Sequence, residues 1–291
     1  MSYLKYKYKY ESIVMFITLI DRGDRLGSHL VTYISQIIYA VHHGRYINYN
    51  RWINYHTSIF VISLLDFIDE HNKRFELCGE EDTKLRGNWG IAPSTATIDI
   101  QCDLFTFFRE RIRQSLISNF KTLAGSKGYS IPFDPKKTIL VHLRLDDVSK
   151  IPDYDGRVCS SHYRSKIERG EICLYDKLEG ERYNQQAPLA DYKIEQVLAK
   201  AREVHKDHKI ILIMSPRSNT TLPYEYIRSD DENYDLFLLS ICETIVVSRS
   251  NYALSALFFG EHKEVYVPMW GTATMMGLNT KYDNTKFNYF Y

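Results

Sequence analysis

Three short polar segments of the sequence combine residue types that can hold an anion. The first covers residues 21–29, where Gly23 and Gly27 permit close approach of the backbone to a ligand. A helix that begins near Ser28 would point its free amide groups at an anion such as a phosphate. The segment is not a Walker loop, because no Gly-Lys-Ser/Thr sequence follows the glycines. A tight structural turn is the alternative interpretation.

The second segment covers residues 141–147 and contains His142 and Arg144. On a strand, these two side chains lie on the same face. A planar guanidinium at the end of a strand can bind two phosphate oxygens at once. The alternative is a structural ion pair between Arg144 and Asp147.

The third segment covers residues 247–252, where a predicted strand runs directly into a predicted helix. Ser250 fits the N-cap position of that helix. Its hydroxyl and the amides that follow it would form another anion site. The alternative is that Ser250 serves as a helix cap and nothing more.

Hydrophobic patterning predicts the elements that would position these segments. Strands are predicted at residues 12–20, 46–49, 138–143, 210–214 and 245–247, with a last strand at 265–267. Helices are predicted around residues 30–41, 104–116, 194–201, 236–241 and 252–259. Residues 70–100 are predicted to form a loop, and residues 150–190 a polar insert. This alternation predicts an α/β protein of two Rossmann-like halves, with ligands at the C-terminal ends of the strands.

Charge and composition exclude several classes of partner. The 291 residues include 37 Lys and Arg and 36 Asp and Glu, so the formal net charge is +1. No global field therefore attracts nucleic acid or an anionic membrane. The alternating Lys and Tyr of residues 5–10 could form a nucleic-acid arm, but a ragged terminus or an edge strand is the preferred interpretation. We expect no nucleic-acid partner.

Hydropathy and cysteine usage predict a soluble, cytoplasmic protein. The longest apolar runs, residues 13–20 and 59–68, fall short of the ~20 residues that a membrane span needs. The N-terminal residues show no signal-peptide cleavage site. Five widely spaced cysteines without a CxxC pair are typical of reduced thiols.

The three segments together resemble the motifs of the fucosyltransferase superfamily, which includes α-1,2-, core α-1,6- and protein O-fucosyltransferases. Residues 25–29, Arg-Leu-Gly-Ser-His, are similar to the Gly-Leu-Gly-Asn-Gln or Arg-Phe-Gly-Asn-Gln turn that follows the first strand of those enzymes. The sequence His142-Leu143-Arg144 matches their His-x-Arg motif. A helix that includes Asp235, then Cys242, a short strand and residues 250–252 follow the order of their C-terminal motifs.

The resemblance implies a GT-B glycosyltransferase, with two Rossmann-like lobes facing across a cleft. Residues 1–133 would form the acceptor lobe, and residues 134–291 would form the lobe that binds the nucleotide sugar. The donor is then a nucleoside-diphosphate sugar, the acceptor a glycan or glycoprotein, and neither a metal ion nor another cofactor is required. A soluble form would suit a bacterial enzyme or a viral one that acts in the host cytoplasm.

The resemblance also implies roles for individual residues. Arg144 would neutralise the β-phosphate of the leaving nucleoside diphosphate, and Ser250 with the two amides after it would hold the same group. His142 would lie beside the nucleoside, and the Gly27–Ser28 turn would approach from the other lobe. The implied binding residues are Arg25, Gly27, Ser28, His142, Arg144, Ser215, Ser248, Ser250, Asn251 and Tyr252.

Three departures from the family pattern bear on the donor. Ser28 replaces the asparagine of the turn, and Leu145 replaces a second arginine that many members carry after His-x-Arg. Users of guanosine diphosphate place an aspartate after the strand that corresponds to residues 210–214, where this chain has Ser215. A UDP-sugar such as UDP-xylose, a UDP-hexose and GDP-fucose all remain candidate donors.

An inverting transfer needs an acceptor for the proton of the attacking hydroxyl. Asp24, Asp147 and Asp153 are the candidate bases, and related core fucosyltransferases keep a glutamate close to the position of Asp153. Some protein O-fucosyltransferases use no protein base. We therefore expect an inverting, metal-independent transfer of one sugar to a hydroxyl. A catalytically inactive nucleotide- or glycan-binding protein of the same fold is the alternative.

Overall fold

The structure is a computed structural model, and it describes residues 16–19, 26–49, 55–73, 75, 102–145, 188–268 and 285–290. The N-terminal part of this description consists of β1 (Phe16–Thr18), α1 (Leu26–His42), β2 (Tyr46–Asn48), α2 (Ile59–Asn72) and α3 (Cys102–Lys127). The strands β1 and β2 pair in parallel. The predicted order of strand, helix and strand is therefore confirmed, and residues 21–25 of the predicted turn lie outside the described residues.

The C-terminal part contains a six-stranded sheet with the order β5-β4-β3-β6-β7-β8, and every pair in it is parallel. Its elements are β3 (Thr138–Leu143), α4 (Asp191–Val204), β4 (Lys209–Met214), β5 (Glu225–Arg228), α5 (Glu232–Ile241), β6 (Thr244–Val246), α6 (Asn251–Phe259), β7 (Glu264–Pro268) and β8 (Lys286–Phe290). The predicted α/β class is confirmed.

The strand order determines where a ligand would bind. From β3 the chain proceeds outward to β4 and β5, and it then returns to β6 on the other side of β3. Counted from β3, this is the order 3-2-1-4-5-6 of doubly wound nucleotide-binding sheets. In such sheets the crevice lies at the C-terminal ends of the two strands where the order reverses. Here those strands are β3 and β6.

One continuous apolar cluster joins the N-terminal helices to one face of the C-terminal sheet. The predicted stripe on α1 is confirmed, since Leu30, Ile34 and Ile37 are fully buried. These side chains belong to the same cluster as residues of α2, α3, α5 and α6. Phe60 and Phe259 are in edge-on contact across it, with ring centroids 4.8 Å apart. A second cluster, on which α4 packs, covers the inner strands from the other side.

The sequence-based assignment missed two strands and one helix. The strand at β7 is not the last, because β8 pairs with it. The short strands β5 and β8 contain polar and charged residues as well as apolar ones, and β5 is a largely exposed outermost strand of the sheet. The apolar run at residues 59–68 forms α2, whose exposed face carries Asp66 and Asp69. Burial on a single face explains why that run contains charged residues.

The boundary expected between residues 133 and 134 lies in the segment that connects α3 to β3. Within the described ranges, no helix combines the length and the apolar character needed to cross a membrane.

A buried carboxylate connects the last strands at their N-terminal ends, on the side of the sheet opposite to the crevice. Glu264, at the start of β7, is 4% exposed. It accepts hydrogen bonds from His205 (2.5 Å), Lys286 (2.8 Å) and Asn288 (2.7 Å). Burial alone would raise the pKa of this carboxyl group, but the three donors outweigh it and lower the pKa to about 2. The glutamate therefore stabilises the fold as an anion.

We expect Glu264→Gln to lower the free energy of unfolding by about 2 kcal/mol, because the buried cluster loses its charged acceptor. The matched control is Glu225→Gln, since the Glu225 side chain is 70% exposed and pairs with Lys209 on the surface. That change should cost less than about 0.5 kcal/mol. Urea denaturation followed by circular dichroism measures both values.

The same cluster predicts a pH dependence with a defined sign. The pKa of Glu264 is lower in the folded chain than its ordinary value of 4.5, so its contribution is complete above pH 4.5. The contribution is lost as the pH falls from 4.5 towards 2. The stability difference between the wild type and Glu264→Gln should therefore shrink over that range. A difference that stays constant would contradict this role for the carboxylate.

Candidate functional site

The C-terminal ends of β3 and β6 bring two of the predicted segments together. Val141 pairs with Val246 in the sheet, so the residues that follow on the two strands leave the sheet at the same level. His142 Nδ1 lies 2.7 Å from the hydroxyl oxygen of Ser248. The His-x-Arg segment and the segment that leads into α6 therefore meet where the strand order reverses.

His142 is held as a neutral group in this position. Burial, and secondarily the charge of Arg144, lowers the pKa of His142 to about 3. A neutral imidazole can donate one hydrogen bond and accept another, and it adds no charge to the site. With so low a pKa, it is also a poor base at neutral pH. Its ring centroid lies 5.6 Å from that of Tyr252.

Arg144 reaches the start of α6. Its Nη1 atom donates to the backbone oxygen of Arg249 over 3.4 Å, and Arg249 immediately precedes the helix cap Ser250. The guanidinium therefore lies beside the amide groups that begin the helix. This is the arrangement in which a cation and a helix start can act on the same anion.

The cap of α6 is formed as predicted. The Ser250 hydroxyl oxygen accepts a hydrogen bond from the amide of Tyr252 (3.2 Å), and the Ser250 amide donates to the oxygen of Ser248 (2.8 Å). The hydroxyl expected to bind an anion is thus also used as a cap. The Tyr252 hydroxyl donates to the Glu232 oxygen (2.6 Å), so this side chain is anchored on α5. The amide and the hydroxyl of Tyr252 are therefore both used in hydrogen bonds within the protein.

The start of α1 lies directly against the start of α6. The helix α1 begins at Leu26, two residues earlier than expected, so Gly27 and Ser28 lie in its first turn. A Cβ atom placed on Gly27 would lie 2.3 Å from both the nitrogen and the Cα atom of Tyr252. Only a glycine permits this approach. The described end of the first predicted segment, residues 26–29, is thereby brought to the same place as the other two.

A polar contact joins the same two helix starts. The Asn251 side-chain nitrogen donates to the hydroxyl oxygen of Ser28 over 3.2 Å. Each helix start carries a partial positive charge, so their close approach produces a positive potential at the junction. We refer below to residues 26–28 and 250–252 as the helix-start junction.

The sequence-based interpretation missed Arg249. This residue is 1% exposed and is among the largest fully buried side chains in the described part of the chain. It immediately precedes Ser250, the cap of α6. The available signal was an arginine between two serines in a strand-to-helix connection, and buried charges of this kind have a structural or binding role.

Ser215 lies one strand away from these residues. Leu143 of β3 pairs with Met214 of β4, so Ser215 leaves the sheet at the level of Arg144. The Ser215 hydroxyl is 3.1 Å from that of Ser218. The candidate residues Asp24, Arg25, Asp147 and Asp153 lie outside the described residues.

Taken together, the site is a set of hydrogen-bond donors and positive charge at the reversal of a doubly wound sheet. It comprises two helix starts, the Arg144 guanidinium and the hydroxyl groups of serines. In the described ranges, no three or more His, Cys, Asp or Glu side chains are grouped so as to hold a metal ion. Donors arranged in this way can bind a phosphate or diphosphate group.

No family model, no curated protein and no solved structure matches this chain. Its own fold and site define its class. It is an α/β protein with a doubly wound parallel sheet and a polar site, which contains Arg144, at the point where the strand order reverses.

We expect Gly27→Ala to destabilise the fold by about 2 kcal/mol, because the added methyl group would overlap the backbone of Tyr252. Gly125→Ala is the matched control, since a Cβ atom at this position of α3 has no neighbour within 4 Å. That control should be neutral or stabilising by up to about 1 kcal/mol, owing to the higher helix propensity of alanine. Denaturant unfolding of both variants measures the difference, and equal stability would refute the close approach at Gly27.

Proposed function

We propose that this chain is an inverting, metal-independent glycosyltransferase. It would move one sugar from a nucleoside-diphosphate sugar to a hydroxyl group of a glycan or glycoprotein acceptor. The observation that carries the proposal is the convergence of Arg144 and the helix-start junction at the reversal point of the sheet. The similarity of these same segments to fucosyltransferase motifs supports it.

The chemistry of the leaving group fits this arrangement. In the transfer step, the acceptor oxygen forms a bond to the anomeric carbon while the bond from that carbon to the diphosphate oxygen breaks. The electron pair leaves with the nucleoside diphosphate, whose negative charge grows in the transition state. A guanidinium and the positive ends of two helices stabilise exactly that growing charge without a metal ion.

The proton of the acceptor hydroxyl goes to a base or to the departing phosphate. Asp24, Asp147 and Asp153 are the proposed candidates for the base. His142 is unsuited to that role, because burial and Arg144 hold its pKa at about 3. We assign His142 to hydrogen bonding beside the nucleoside instead.

In this proposal the architecture is GT-B. The unit β1–α1–β2 would belong to the acceptor lobe of residues 1–133, and the six-stranded sheet to the donor lobe of residues 134–291. The apolar contact between α1 and α6 joins the lobes on one side of the helix-start junction. The cleft would therefore open beside this contact, towards the C-terminal ends of β3 and β4.

The donor base is read, in this proposal, at the end of β4. The hydroxyl groups of Ser215 and Ser218 can both donate and accept hydrogen bonds. They do not reproduce the pair of acceptors that a carboxylate offers to guanine. This favours a UDP-sugar such as UDP-xylose, with GDP-fucose as the other candidate donor.

A catalytically inactive binding protein is the second candidate. It is favoured by one observation, that Ser28 and Asn251 already bond to each other across the helix-start junction. Release of nucleoside diphosphate from a nucleotide sugar by the purified protein would distinguish the enzyme from the binding protein.

We expect Arg144→Gln to weaken the binding of the preferred nucleoside diphosphate by about 30-fold, because a charge-assisted contact is lost. In wild type, the melting temperature should rise by about 3 °C at a ligand concentration of ten times Kd with UDP or GDP. The variant should show no such rise at that concentration.

Arg202→Gln is the matched control, because this exposed arginine lies near the C-terminal end of α4, with its guanidinium over the ring of Tyr224. It should bind the nucleotide like the wild type. If transfer occurs, Arg144→Gln should also lower kcat by about 100-fold or more. Unchanged binding and turnover in Arg144→Gln would refute the proposed function.

A further inference from the structure

The loop between β4 and β5 presents an arginine on a tight turn. Ser215 follows β4 directly, and the Ser218 amide donates to the Ser215 backbone oxygen over 3.0 Å. Residues 215–218 therefore form a hydrogen-bonded β-turn with Pro216 and Arg217 as its central residues. Proline restricts the backbone of such a turn. Ser218 is buried and Arg217 is exposed, so the turn offers the arginine to solvent.

Hydrogen bonds to neighbouring elements hold the rest of this loop. Asp191, the first residue of α4, accepts hydrogen bonds from the amide (3.0 Å) and the hydroxyl (2.5 Å) of Thr221. On the other side, Arg228 at the end of β5 donates to the side-chain oxygen of Asn219 over 3.5 Å. The guanidinium of Arg228 also lies over the ring of Tyr226. The loop is therefore anchored to α4 and to β5.

The guanidinium of Arg217 is available to a ligand. With the part of the chain that the structure describes, the Arg217 side chain forms no hydrogen bond, ion pair or ring contact. Arg144 and Arg228, in contrast, each donate to an oxygen of the protein. A guanidinium has five N–H donors and no acceptor. Arg217 is therefore an accessible donor in every orientation of its side chain.

The turn lies beside Arg144 along the C-terminal ends of the strands. Leu143 of β3 pairs with Met214 of β4, and neighbouring strands lie about 4.8 Å apart. Counted from β3, β4 is the second strand of the doubly wound order. In dinucleotide-binding sheets of this order, residues that follow the second strand contact the nucleoside. Arg217 therefore lies where the nucleoside of a bound nucleotide is expected.

The chemistry of a guanidinium limits which bases it can recognise. Its N–H groups pair with acceptors, and they pair best with oxygen atoms that it can approach in its own plane. The O4 atom of uracil and the O6 atom of guanine are carbonyl acceptors on the edges of these bases. Adenine carries an amino group, which is a donor, at the position of the guanine O6 atom.

We propose that Arg217 donates a hydrogen bond to a carbonyl oxygen of the base and so selects a uracil or guanine nucleotide over an adenine nucleotide. Arg217 is then a specificity-determining residue, and the anchored loop holds it in place. This inference rests on the proposed function and extends it from the diphosphate to the base.

Titration calorimetry with UDP, GDP and ADP tests the inference. We expect the wild type to bind UDP or GDP about tenfold more tightly than ADP, or better, as for one charge-assisted hydrogen bond. Arg217→Ala should weaken the tighter of UDP and GDP by about tenfold and should change the affinity for ADP by less than about twofold.

Arg202→Ala is the matched control for the loss of a surface charge. This exposed arginine lies near the C-terminal end of α4, and its removal changes the net charge by the same amount. It should leave all three affinities within about twofold, because exposed charges at a distance are screened. Its binding separates a contact made by Arg217 from a general effect of positive charge.

Three results would overturn the role of Arg217. These are a wild type that binds ADP as tightly as UDP and GDP, an unchanged affinity for the preferred nucleotide in Arg217→Ala, and an equal loss for ADP and the preferred nucleotide. An equal loss would assign Arg217 to the ribose or the phosphates, which all three ligands share.

The proposed function fails in a different way. If the wild type binds none of the three nucleotides, the diphosphate site is refuted, and this inference is refuted with it. If the wild type binds one of them with an affinity that depends on Arg144 but not on Arg217, only the assignment of Arg217 is refuted.

Discussion

The close contact between the starts of α1 and α6 is the constraint on which the rest of the site depends. Gly27 has no side chain, so the backbone of one helix can rest against Tyr252 of the other. Two positive helix ends are thereby brought together, although they repel each other. The large apolar cluster along α1, α5 and α6 holds them there. In the proposed function, an anion bound at the junction would relieve that repulsion.

Different polar clusters lie at the C-terminal and at the N-terminal ends of the strands. At the C-terminal ends of the strands, Arg144 contacts the start of α6, and His142 stays neutral because burial, and secondarily the charge of Arg144, lowers its pKa to about 3. At the N-terminal ends, the anionic Glu264 accepts hydrogen bonds from His205, which follows α4, and from Lys286 of β8. The donors at the C-terminal ends are suited to an anionic ligand, and the Glu264 cluster at the N-terminal ends holds the outer strands together.

Local patterning predicted what depends on neighbouring residues in the chain. The strand β3 has the predicted bounds, and the stripe on α1 is buried as predicted, because period-two and period-3.6 burial leave a direct trace in the sequence. The strands β5 and β8 were missed, since polar residues at the edge of a sheet weaken that trace. Only the tertiary structure shows the contact between Gly27 and Tyr252 and the hydrogen bond between Asn251 and Ser28, because each joins segments that are distant in sequence. The burial of Arg249 likewise depends on the tertiary structure.

The most direct test of the central claim is a crystal structure of the protein with the nucleoside diphosphate that it binds. Our account requires the diphosphate to contact the Arg144 guanidinium and the amides at the start of α6, with the start of α1 facing it. A diphosphate bound elsewhere on the protein, or bound at this edge without contact to Arg144 or to α6, would contradict the account.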